Sequence, residues 1–414
     1  MTSRECILET IRHKESDRIP IDLGSTPSSG ISAVAYRNVL DHLHIDGQAR
    51  IYDVVQQLAQ PEETILERFN VDVLDIGRTF NREESDWADF ALINGKPAQV
   101  PGWFQFVTDK NGDHCVLDQD GTCLARMANQ STFFDQTFFP YESGYPQDFS
   151  RLPDAMNKVM WASLAHSPWD HAHEPDFWQQ LRQNALALRQ QTDKALVIVC
   201  GCNLFEWGTF LRRIDNFLMD LLVEPARVAA LLDALMAIHL KTLEHVCAAV
   251  GDIVDIIRFG DDLGMDSGPF MSPQTYQELF KPHHTALCDY VEQHSSMHTF
   301  LHCCGSIYQL LPDLIDAGFE IINPVQTNCV DMEPERLKRE FGRDVTFWGG
   351  GIDTRHVLNN ANPDDIRKHV QNRLEIFSPG GGFVFNPIHN ILPEVPPENI
   401  VAMFDAVDEF NRNG

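Results

Sequence analysis

Residues 256–305 read IIRFGDDLGMDSGPFMSPQTYQELFKPHHTALCDYVEQHSSMHTFLHCCG. Two apolar runs, Ile256–Gly264 and His298–Gly305, flank a segment that opens at Ser272-Pro273 with a helix-start signal. That is the pattern of two parallel strands joined by a crossover helix. Working outward, Ala195–Asn203, Glu320–Gln326, Thr346–Ile352 and Gly382–Asn390 alternate with amphipathic stretches in the same way. Two earlier runs, Ile19–Leu23 and Val71–Gly77, bring the count to eight. Eight is the number at which a parallel sheet closes into a filled barrel. The expected fold is therefore α/β, a (β/α)8 TIM barrel with an N-terminal extension, forming one domain over residues 1–414. An open doubly wound sheet is the alternative, but no GxGxxG follows the first strand to support a dinucleotide site.

After the third strand the helical segment is doubled, because FLRRIDNFLMDLLV is followed by Glu224-Pro225 and a second helical run. Residues 80–165 break the alternation. There FQFVTDKNGDHCVLDQDGTCLARM reads as short strands joined by Asn-Gly and Asp-Gly turns, an insertion rich in β-hairpins between the second and third strands. By position it rises from the carboxyl-end face, where long loops shape pockets; it reads equally as a surface flap.

Thirty-two basic against sixty acidic residues give a formal net charge of −28, a field that repels nucleic acid and anionic membranes. No apolar run approaches the ~20 residues of a membrane span, and the N-terminus carries no signal-peptide core, so a cytoplasmic protein is expected. Ten cysteines in 414 residues are too sparse for a disulfide scaffold and read as thiols.

Chemistry concentrates at the carboxyl ends of the strands. His302 and Cys304 are two apart, so their side chains leave one face of the strand, while Cys303 points the other way. His389 ends the eighth strand. Three such ligands match a catalytic Zn²⁺ site with an open fourth position; the plain alternative is a histidine bonded to loop backbone. Glu206 follows the third strand, and Asp261 and Asp262 end the fourth, as candidates for catalysis, substrate orientation or the zinc shell; an aspartate there can instead cap a helix. Gln326, Asp353 and Asn390 are the candidate substrate-binding residues.

With these residues in place, the chain resembles the uroporphyrinogen decarboxylase superfamily, and within it the corrinoid-dependent methyltransferases. The resemblance runs through SRECILETIRHKESDRIPIDLG, FEWGTFLRRIDNFLMDLLVEP, LHCCGSIYQLLPDLIDAGFEIINPVQ, FWGGGID and PPENIVAMFDAV. The decarboxylase branch carries an Arg-rich N-terminal segment, whereas IDLGSTPSSGISAVAYRNV has one arginine. The segment LHCCG is similar to the one that supplies histidine and cysteine ligands in methylcobamide:coenzyme M methyltransferases. Those enzymes add a cysteine at the end of the last strand, where His389 stands here. The exchange makes the site less negative and the zinc a stronger Lewis acid.

The resemblance implies transfer of a methyl group between a small substrate, such as a methoxylated aromatic or a thiol, and a corrinoid on a separate binding protein. A homodimer is compatible with it. Two other functions fit the same residues: a metal-free decarboxylase of a polycarboxylate, and a non-catalytic zinc- or corrinoid-binding barrel.

Overall fold

The computed structural model describes residues 1–413. Seven strands lie side by side and parallel in the sequence order Val73–Asp75, Ala195–Gly201, Ile256–Gly260, His298–His302, Ile321–Asn323, Thr346–Trp348 and Phe383–Val384. Ile21 pairs in parallel with both Phe385 and Val71, at the two free edges of that sheet. The Asp22 amide donates to the Phe385 carbonyl at 2.9 Å, and the Asp72 amide to the Ile21 carbonyl at 2.8 Å. The ring is thereby closed, and the eight expected strands are its eight staves.

Each strand is shorter than the apolar run that announced it. Regular pairing stops at Gly260, His302 and Asn323, and the remaining residues of each run bend outward as the loops that carry polar side chains. Glycine permits the bend where two such loops touch. A Cβ on Gly305, whose φ is +90°, would stand 2.3 Å from the Gly264 carbonyl carbon. The loop after the fourth strand thus rests on the backbone next to Cys304.

Side chains alternate along the staves. Val73, Ala195, Val197, Ile256, Phe300, Ile321, Trp348 and Val384 meet inside the barrel together with Ile7 and Ile11. The last two come from the helix Ser3–Ile11, which stoppers the amino end. A capping box starts that helix: Thr2 Oγ1 accepts from the Glu5 amide, and Glu5 Oε2 accepts from the Thr2 amide. The expected N-terminal extension is this plug.

Three helices, not two, follow the third strand: Phe205–Arg212, Ile214–Val223 and Pro225–Val250. The extra break falls at Arg213, at a φ of +68°, with its guanidinium on Asp215 and Glu142. The insertion contains the hairpin Trp87–Ala91 with Pro97–Pro101, and an antiparallel sheet of Val107–Thr108, His114–Leu117, Cys123–Met127 and Asp135–Gln136. Its turns fall at Gly112 and Gly121, both at positive φ, as Asn-Gly and Asp-Gly require. A small sheet of Ile31–Ser32, Ile51–Asp53 and Leu58–Ala59 was not foreseen, since strands of two or three residues leave no alternating pattern. The insertion packs on this sheet and on the helix after the third strand: the Phe134 amide donates to the Val55 carbonyl and the Tyr141 amide to the Leu211 carbonyl. No helix among the described residues is long and apolar enough to cross a membrane.

Candidate metal centre and its cleft

Register decides where the polar residues meet. His302 pairs with Gly260 on one side and Asn323 on the other, and shares the inner face with Phe300. Cys303 points away from the barrel, fully buried, and its sulfur accepts from the Leu263 amide at 3.3 Å. Cys304 turns back, placing its sulfur 3.4 Å from His302 Nε2. His389 arrives from the loop after the eighth strand, its ring centroid 5.8 Å from that of His302. One donor atom from each of His302, Cys304 and His389 lies within 4.8 Å of the other two. Bonds of ~2.0–2.3 Å in a tetrahedron hold donor atoms roughly 3.3–3.8 Å apart, close to this spread.

The set also has the right protonation. His302 Nδ1 lies 2.8 Å from Asn323 Oδ1. Asn323 is oriented by its own contacts, its Nδ2 donating to the Trp348 carbonyl at 2.9 Å and its Oδ1 accepting from Ser28 Oγ at 2.7 Å. Since that oxygen can only accept, the imidazole proton sits on Nδ1 and the Nε2 lone pair faces Cys304, as in metal-binding histidines held by a second hydrogen bond. Burial, with help from the Arg258 charge, pushes the His302 pKa down to about 3, and burial also lowers that of His389. Both rings are therefore neutral at pH 7. The Cys304 thiol is pushed up by burial and by Asp262, an arrangement that a bound cation reverses.

Of the three candidate carboxylates, Asp262 reaches the centre and Glu206 stands behind it. Asp262 Oδ1 accepts from the Cys304 amide at 2.8 Å and stands 3.5 Å from His302 Nε2. Glu206 accepts from Asn203 Nδ2 and, at 3.3 Å, from the Asp262 amide. Burial, then Asp262 and Asp261, raise its pKa well above the usual carboxylate range. Asp261 lies elsewhere. It is fully buried, its two oxygens accept from the Phe205 and Glu206 amides at 2.9 Å each, and His284 Nε2 is 3.3 Å away. It caps the helix that carries Glu206 and does not face the cleft.

The cleft beside the centre has a volume of about 300 Å³ and is lined in part by Cys304, His389, Gln326, Asn390, Asn328 and Arg355. Gln326 Oε1 accepts from the Gly305 amide at 2.8 Å, and Asn390 Nδ2 donates to Gln56 Oε1 at 3.1 Å. Asp353 stays outside the lining, accepting from Asn328 Nδ2 and from the Arg355 and His356 amides. It shapes the turn that presents Arg355. Sequence reasoning missed Asn323 and Ser28, whose parts depend on pairing across strands, and Arg258, a charge in the middle of an otherwise apolar strand.

The profile of the uroporphyrinogen decarboxylase (URO-D) family matches residues 204–410, half of the chain. This protein belongs to the uroporphyrinogen decarboxylase family. Among curated URO-D relatives, a uroporphyrinogen decarboxylase from Methylococcus capsulatus is 32% identical over 103 residues, 25% of this chain and 27% of that protein. The methylcobamide:CoM methyltransferase MtaA from Methanosarcina barkeri is 28% identical over 156 residues, 38% of this chain and 42% of the relative. The matched segments thus span between about a quarter and two fifths of those relatives' lengths. Among solved structures, a methyltransferase from Methanosarcina mazei superposes with a TM-score of 0.60 at 17% identity, covering 99% of both chains, and so shares the fold.

Proposed function

We propose that this URO-D family member is a zinc-dependent methyltransferase that moves a methyl group between a small substrate and the cobalt of a corrinoid carried by a partner protein. The observation that carries the reading is the convergence of His302, Cys304 and His389, with Asn323 turning the His302 lone pair into the cluster. Donors of this kind, two neutral imidazoles and one thiol, suit Zn²⁺ and leave a coordination position for substrate. Bound there, Zn²⁺ would act as a Lewis acid toward an ether oxygen or a thiol.

The chain supplies the rest. Asp262 holds the Cys304 backbone and keeps a carboxylate oxygen beside His302. Glu206, its pKa raised by burial and by Asp262, stands beside Asp262 as the group that hands a proton to a leaving group or takes one from a thiol. Gln326 and Asn390 line the cleft and orient the substrate. The resemblance to MtaA supports the corrinoid partner.

Incubation of the purified protein with a Co(I) corrinoid protein and a panel of methoxylated aromatics and methylated thiols tests the reading through the cobalt spectrum. Methylation of cobalt by at least one donor, lost on chelation and restored by Zn²⁺, is expected. A spectrum that never changes, with donors or with methyl-cobalt and thiols, would falsify it.

A further inference from the structure

Two thiols meet at the end of the third strand. Cys200 Sγ and Cys202 Sγ lie 3.6 Å apart. Were the strand Ala195–Gly201 to run on regularly, side chains two residues apart would leave the same face roughly 6.5–7 Å from one another. Here the pairing with the fourth strand slips between Val199 and Gly201, and the backbone then turns left-handed at Gly201, φ +76°, and at Cys202, φ +53°. Glycine takes that conformation freely; cysteine does so at a cost, and such strain marks a place where the surrounding structure aims a side chain. The turn folds one sulfur onto the other.

The pair is set apart from the metal centre. Ala195 and Val197 point into the barrel, whereas Leu196, Ile198 and Cys202 belong to the core between strands and helices, and Cys200 packs against that core while staying partly exposed. Cys202 is nearly closed off, at 5% exposure. The hydrogen bond to Cys200 and then burial push its pKa up, so Cys202 donates and the Cys200 sulfur accepts. A reachable sulfur backed by a thiol donor is the division of labour of a reactive dithiol, one cysteine attacking and the other resolving. Behind them the fit is close. Asn203 follows Cys202 directly; its Nδ2 donates to Glu206, and a Cβ on Gly260 would stand 2.3 Å from that nitrogen. Drawing Cys202 toward Cys200 therefore moves the residue that holds Glu206.

We propose that Cys200 and Cys202 form a reversible dithiol–disulfide couple, driven by small-molecule disulfides of the glutathione class, whose oxidation shifts Asn203 and loosens the start of the helix Phe205–Arg212. The Cys200 thiolate attacks one sulfur of the incoming disulfide, releasing one small thiol and leaving a mixed disulfide. The Cys202 sulfur, giving up its proton, then attacks Cys200 Sγ, breaks the mixed bond and releases the second small thiol. Both cysteines are oxidised, the small disulfide is reduced, and the two cysteine protons end on the released thiols. Closing the bond brings the sulfurs from 3.6 Å to ~2.05 Å, a movement of about 1.5 Å. The couple does not depend on the methyl transfer proposed above.

For the test, the purified, reduced full chain is incubated with oxidised glutathione, quenched with acid, alkylated, cut after Lys194 and Arg212 and weighed by mass spectrometry. Residues 195–212 carry no cysteine besides Cys200 and Cys202. That peptide is expected to lose both alkylatable thiols and the mass of two hydrogens, with no glutathione retained, and dithiothreitol should return both thiols. Cys202→Ser should stop at one glutathione on Cys200, and Cys200→Ser should leave Cys202 unreacted. Hydrogen exchange of the wild-type chain supplies a readout that needs neither variant to fold. Oxidation should speed exchange of the Phe205 and Glu206 amides, which donate to Asp261, by severalfold, and dithiothreitol should reverse it. Two thiols that survive excess oxidised glutathione, a glutathione adduct in place of the internal bond, or a bond from either cysteine to Cys247 would overturn the couple. Amide exchange that stays the same in the oxidised chain would overturn its action on the helix.

Discussion

At the scale of single residues, the alternation across His302, Cys303 and Cys304 makes a sharp prediction. Cys304→Ala should lose most bound zinc, whereas Cys303→Ala should retain it and cost only about 1 kcal/mol in denaturant unfolding, since one weak hydrogen bond from the Leu263 amide goes. Equal zinc loss in both would mean that the strand presents the other face. Asn323→Leu removes the acceptor that orients His302, and metal affinity should fall by about 10–100-fold, measured by competition with a chelator. His389→Cys should keep zinc while slowing ether cleavage, because a second thiolate makes the ion less electrophilic. The convergence of the three candidate ligands was legible beforehand, because strand alternation and the barrel's carboxyl-end rule act within single segments. Asn323, Ser28 and Arg258 were not, since a register between strands distant in sequence gives them their partners or denies them.

Elements decide which acidic group does what. Asp261 and Asp262 are neighbours at a strand end where alternation no longer rules, and only the packing of the helix Phe205–Arg212 shows that Asp261 is its cap. Asp261→Ala should cost on the order of 1–3 kcal/mol and lower turnover by displacing Glu206, with zinc retained, because two buried amides lose their acceptor. The long helix Pro225–Val250 steadies the same loop through His239, whose Nε2 lies 2.9 Å from the Asn203 carbonyl. Burial lowers the His239 pKa to about 4. The unfolded chain therefore binds the proton first, so this contribution is whole above pH ~6.5 and is lost as pH falls toward 4. In unfolding titrations the difference in stability between wild type and His239→Gln should shrink by up to about 3 kcal/mol across that window. A difference that stays level with pH would show that the ring is not held neutral. The barrel strands and the insertion's turns were readable as elements, while the break at Arg213 depends on tertiary ion pairs that no local pattern announces.

For the whole molecule, closure is narrow: one residue, Ile21, bridges the two free edges, and the helix Ser3–Ile11 fills the floor. Ile7→Ala and Ile11→Ala should each cost about 2–5 kcal/mol while zinc content at the far end is preserved, since the cavities open among packed side chains. The stoppered floor also governs traffic. A barrel sealed below has a single doorway, so under the proposed reaction the small molecule must enter before the much larger corrinoid carrier covers the threshold, and cannot depart until that visitor has gone. Turnover would then be compulsorily ordered, and a surplus of carrier would slow exchange by blocking the exit.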